Sequence, residues 1–171
     1  MRHTISVTLT ILLLACLTGG CQTIATSGSV GYGAGAITVS GYGDFLYPSP
    51  PGAYKLNKQG FREFKNGNYK KATEIFAESL KQYPESPDAQ YYLGLSQVAM
   101  GERGKGLRQL ASFRDRDHFR QTSEIRWWAG YFLKHTDRDA DAILNTMRRV
   151  RAEAQQQEME ESWEPGLGWG M

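Results

Sequence analysis

Apolar positions between Tyr54 and Pro87 recur at helical spacing. Leu56, Gly60, Phe61 and Phe64 fall on one face of a first helix, and Ala72, Ile75, Phe76 and Leu80 on one face of a second. Asn66-Gly67-Asn68 reads as the turn between them, and Pro84 stops the second helix. This stretch predicts a helical hairpin. A step of 34 residues repeats it, carrying Gly60 to Gly94, Phe61 to Leu95, Phe64 to Val98, Gly67 to Gly101, Ala72 to Gly106 and Phe76 to Leu110. A step of 36 then carries Tyr91 to Trp127, Gly94 to Gly130, Leu95 to Tyr131, Gly106 to Ala142 and Leu107 to Ile143. In this third unit Asp137 replaces the turn glycine and Thr146 the large apolar residue. Its second helix reads as long, with Ala140, Ile143, Leu144, Met147, Val150 and Ala154 on one face. The polar run from Gln155 to Ser162 reads as solvated, the kind of cap a terminal repeat needs. The expected fold is all-α, with three hairpins over residues 53–154 and a polar helix end and tail over 155–171. The tail, with Trp163 and Trp169, cannot continue a helix past Pro165-Gly166. Disorder and docking are its two readings.

The pattern resembles the tetratricopeptide repeat. The first unit carries that family's small residue at Gly60, its turn Gly67, Tyr69, Ala72, aromatic Phe76 and Pro84. The second carries Leu93-Gly94, Gly101, Gly106 and Leu110, but has Arg103 at the turn aromatic and His118 at the closing proline. Small residues let the two helices approach, Phe76 fills the gap to the next hairpin, and Pro84 redirects the chain. The resemblance implies a short solenoid whose first helices line a concave groove. It places Tyr54, Asn57, Phe61, Tyr91, Leu95, Trp127 and Tyr131 on that groove. Such an aromatic surface suits an extended or helical peptide. The basic clamp that some relatives use for a peptide carboxylate is not evident, because Phe61 and Leu95 stand where small polar residues are needed. Two other readings stay open: the aromatics are core between hairpins, or the linker or tail fills the groove.

Before the repeats comes a different kind of sequence. Met1-Arg2-His3 is basic, and Ile5 to Leu17 is mostly apolar. That stretch is shorter than the roughly 20 residues a spanning helix needs, and it suits the apolar core of a secretory signal. Leu17-Thr18-Gly19-Gly20-Cys21-Gln22 resembles a bacterial lipobox, in which the cysteine carries lipid and becomes the first mature residue. Leu13-Leu14-Ala15-Cys16 competes, and has Leu at the usual place where the Cys21 site has Thr18. Cys21 is preferred, because Cys16 shortens the apolar core and leaves Leu17 beside the lipid. The expected division is a lipoprotein signal peptide at 1–20 and a Gly/Pro-rich tether at 21–52. Thr23 in place of Asp suggests the outer membrane, facing the periplasm. No charged residue occurs from Thr4 to Gly43. The glycines near Gly31 lack the strand and the helix-plus-acid pattern of a dinucleotide loop.

Charge and chemistry narrow the function. A net charge of +2 with interleaved signs offers no nucleic-acid face. Both cysteines are N-terminal, so the body has no disulfide framework or Cys metal site. Asp137, Asp139 and Asp141 read as acids at a helix N-terminus, not a calcium loop. His118 and His135 read as surface histidines outside any nucleophile constellation, so neither an enzyme nor a cofactor is expected. The expected function is a membrane-anchored periplasmic scaffold. It would hold a protein or peptide partner in an envelope, secretion or pilus complex. The alternatives are an adaptor for a cell-wall enzyme, and a small-molecule binder or enzyme using the aromatic groove. Oligomeric state is open.

Overall fold

Two glycines close the first two hairpins in the same way. In the computed structural model, which describes residues 44–163 apart from Ser49, helix α1 (Pro51–Lys65) ends at Gly67 with φ 76°. The Asn68 amide donates to the Glu63 carbonyl at 2.9 Å and the Gly67 amide to that of Phe64 at 3.0 Å. Helix α2 (Tyr69–Gln82) follows. Helix α3 (Pro87–Ala99) ends the same way at Gly101, φ 85°, with Glu102 donating to Gln97 at 2.9 Å and Gly101 to Val98 at 3.0 Å. Both are Schellman turns, whose left-handed position favours glycine. Helix α4 (Arg103–Ala111), helix α5 (Phe119–Lys134) and helix α6 (Ala140–Trp163) complete the order. The described residues hold six helices and no strand, a helical repeat-like all-α fold in which each helix packs on the next. The expected signal peptide, Cys16, Cys21, the glycine-rich stretch and residues 164–171 lie outside the described residues.

The repeat is also visible in the packing. A Cβ on Gly60 would stand 2.9 Å from the Phe76 ring, and one on Gly94 would stand 2.6 Å from Leu110. These are equivalent pairs in the two units. Phe76 also stacks on Tyr92 of the next hairpin, with centroids 5.7 Å apart. It thus seals its own hairpin and the junction. Gly106 lies closer still, since its Cβ would meet the Gly94 carbonyl at 2.4 Å.

The third hairpin is built differently. A Cβ on Gly130 would meet nothing within 4 Å, and the fully buried small residue of α5 is Ala129. The turn into α6 has no left-handed glycine. Arg103 reaches across from α4 instead, donating to the carbonyls of Phe132 and His135 at 2.7 Å and of Arg138 at 2.6 Å. It thereby satisfies carbonyls that a helix end leaves open. Asp139 caps α6, accepting from the Ala142 amide at 2.7 Å. The apolar face expected on α6 is buried at Ile143, Leu144, Met147, Val150 and Ala154.

Two boundaries differ from expectation. The helix continues to Trp163, and its polar end is not solvated all round: Glu158 accepts from the Arg120 amide at 2.9 Å. The described end of the expected tether, Asp44–Pro48, is packed against the helices, with Asp44 and Phe45 buried. A segment rich in aromatic side chains gains more from burial than from remaining coil.

Candidate interaction surface

Helix α3 is the centre of the fold, buried at Asp88, Ala89 and every residue from Tyr91 to Val98. Neighbours α1, α2 and α4 account for part of this, and α6 also contacts it. The residue that joins α6 to α3 is Arg151, only 1% exposed. Its guanidinium donates to Asp88 at 2.5 Å and to the Phe45 carbonyl at 3.3 Å. It also lies over the rings of Phe45, at 4.1 Å, and Tyr91, at 4.4 Å. Burial drives the Asp88 carboxyl above its ordinary value, against the pull of Arg151 and the Tyr47 amide.

Residues 44–48 cross this site as a strap. Asp44 pairs with Arg148, the Tyr92 hydroxyl donates to the Phe45 carbonyl at 3.0 Å, and the Tyr47 amide donates to Asp88 at 2.7 Å. The Tyr47 hydroxyl donates to Gln155 and accepts from Gln121, both at 2.6 Å. Its ring stacks on His118 at 4.4 Å. His118 is bonded to Asp115 at 2.9 Å and only 24% exposed at its side chain, so it is a half-buried partner of the strap and not a surface histidine. The hydrogen bond to Asp115 raises the His118 pKa above its ordinary value, against a smaller effect of burial. Burial of the Asp115 carboxyl is outweighed by His118, and its pKa falls. Burial pushes the Tyr47 hydroxyl far up, so it stays protonated.

The seven residues expected on one groove do not share one open surface. Tyr91, at 1% exposed, and Leu95 are core, and Asn57 is buried between Ser79 and Ser86, at 2.8 and 2.9 Å. Tyr54 and Phe61 are half-buried on α1, where they line a cleft of about 700 Å³ with Lys58 and Arg62. Its rim is cationic, which the sequence reading of an aromatic groove missed. On α5, Trp127 is 60% exposed. It stacks on Tyr131 at 5.8 Å and 12°, and Tyr131 stacks on His135 at 3.9 Å and 15°. These residues are four apart, so the helix presents one aromatic ladder. His135 is exposed and bonds back to the Tyr131 carbonyl at 2.9 Å.

Sequence reasoning also missed Arg151. Its signal was available: it follows Met147 by four residues, on the apolar face of α6, where a charge needs a buried partner. Among the described residues no group of three or more His, Cys, Asp or Glu side chains is placed to hold a metal ion, and no helix is long and apolar enough to cross a membrane. No family model matches this chain, nor does any curated protein or solved structure.

Proposed function

We propose that this chain is a lipid-anchored adaptor of the bacterial envelope. In this reading it is a short tetratricopeptide-like stack that holds a protein partner on the aromatic ladder of α5. The lipobox-like residues Leu17 to Cys21 support the anchor, and Thr23 favours the outer membrane with the domain facing the periplasm. The helical repeat-like fold supports a role in holding partners. The observation that carries the reading is Trp127, exposed to solvent and stacked on Tyr131. A large rigid ring left in water costs free energy unless something covers it, and tryptophan is enriched among residues that dominate interfaces. Tyr91 and Leu95 are excluded from the partner surface because they are buried.

A photoreactive residue in place of Trp127, expressed in the native cell, tests this. A discrete protein adduct is expected there and none from exposed Lys70 on α2. Equal capture at both positions, or none at Trp127, removes the ladder from the account. Cys21→Ser is expected to release the chain from the membrane fraction. Release by Cys16→Ser alone would move the anchor to Cys16.

A further inference from the structure

Helix α1 carries an unbalanced charge. Lys55, Lys58, Arg62 and Lys65 are all exposed, and their spacing lays them along one side of the helix. No carboxylate lines the cleft they border. None of the four has an ion-pair partner among the described residues, whereas Glu63, the acid of this helix, is engaged by Lys71 and Asn68. Four like charges on one helix of a chain whose net charge is only +2 are a concentrated patch. Tyr54 and Phe61 line the same cleft beside them, and the Lys65 ammonium sits 5.7 Å over the Phe61 ring.

We propose that this face of α1 lies against the anionic headgroups of the membrane to which the chain is tethered. This contact rests on the anchor reading, because without a tether the local lipid concentration is low and with one the contact becomes intramolecular. Three of the four cations are lysines, compact charges on flexible stems that suit a field of mobile phosphates better than a fixed carboxylate fork. Half-buried tyrosine and phenylalanine beside lysine and arginine match the interfacial layer, where amphipathic rings and long cations settle. Helix α1 is also the first helix after the expected tether. The expected tether between Cys21 and the strap counts about 22 residues, and a flexible chain of that length would span roughly 23–28 Å. The same contact orients the domain, since α1 and the α5 ladder are fixed in one fold.

The test uses the lipid-anchored chain with a donor dye on Gln59→Cys, reconstituted into vesicles carrying an acceptor headgroup dye. Vesicles of phosphatidylcholine alone are compared with vesicles that also contain phosphatidylglycerol. Energy transfer is expected to rise in the anionic vesicles and to fall back when salt screens the surface. Lys58→Glu with Arg62→Glu is expected to abolish that rise, each removed cation weakening the attraction about fivefold. Equal transfer in both vesicles, or a rise untouched by the two reversals, overturns the proposal. Polyglutamate binding to α1 in preference to the anionic vesicles would also overturn it, in favour of an acidic protein. If the chain associates with neither vesicle, the anchor reading fails separately. Co-sedimentation of the Cys21→Ser chain with phosphatidylglycerol vesicles at about millimolar lipid, which replaces the concentrating effect of a tether, then decides: pelleting that the two reversals abolish supports the α1 face, and its absence overturns it.

Discussion

The first two hairpins and the third solve one problem in two ways. In the first two, a glycine at the hairpin interface meets one large apolar side chain, Phe76 or Leu110, and a left-handed glycine closes the turn. In the third, Gly130 meets nothing, Arg103 closes the turn through carbonyls, and α6 turns its charge onto α3 through Arg151. The repeated units are joined by close packing between neighbours in sequence. The third is joined by polar contacts between residues far apart, Tyr47 with Gln155 and Arg151 with Asp88. A repeat thus ends where its glycine code lapses, and a specific clasp takes over from a periodic one.

The largest effect should come from breaking the clasp. Arg151→Met leaves Asp88 buried without its cation and is expected to cost about 3–5 kcal/mol in urea unfolding. Adding Asp88→Asn should recover part of that loss, because the orphaned charge is removed. Gly106→Ala should come next, at about 3 kcal/mol, since its methyl would meet the Gly94 carbonyl and the Val98 amide, at 2.4 and 2.8 Å, and neither backbone can yield cheaply. The third-unit contrast is Gly130→Ala, which has open space and should gain about 0.5–1 kcal/mol from helix propensity. A loss at Gly130 equal to that at Gly106 would erase the distinction between the units.

A smaller effect should follow pH. His118 has a raised folded pKa, so its pairing with Asp115 stabilises the fold fully below the ordinary histidine value. That contribution is lost as pH rises through the raised value. Melting at about pH 5.5 and about pH 8.5 should therefore show a loss on the alkaline side that His118→Gln removes. Glu158 and Asp117 also favour the charged ring, so His118 should lose its proton later than a free histidine.

The periodic half of the molecule was legible in the sequence because its cause is local. Gly60, Gly94, Gly67 and Gly101 announce close approach and tight turns at a fixed step, and the structure puts them to those uses. Gly130 keeps the step without the contact: Thr146 stands at the sequence position of Phe76 and Leu110, and a Cβ on Gly130 would meet nothing within 4 Å. The clasp was not legible. Its members lie 41 to 108 residues apart, for example Tyr47 with Asp88 and with Gln155, and no periodicity links them. The strap was hidden for a related reason: Asp44-Phe45-Leu46-Tyr47 follows a glycine-rich stretch and precedes prolines, so it reads as linker. The expected groove accordingly divided. Tyr91 and Leu95 went to the core beneath the clasp, while Trp127 stayed outside and Tyr131 half-buried.

Hydrogen exchange of the intact chain at the Tyr47 amide tests the clasp most directly. This amide donates to buried Asp88 and belongs to no helix. It is expected to exchange as slowly as the amides of α3, and Phe45→Ala should release it while the amides between α1 and α2 keep their protection. Exchange of the Tyr47 amide at the rate of an open coil in the unaltered chain would contradict a clasp held by the chain's own strap.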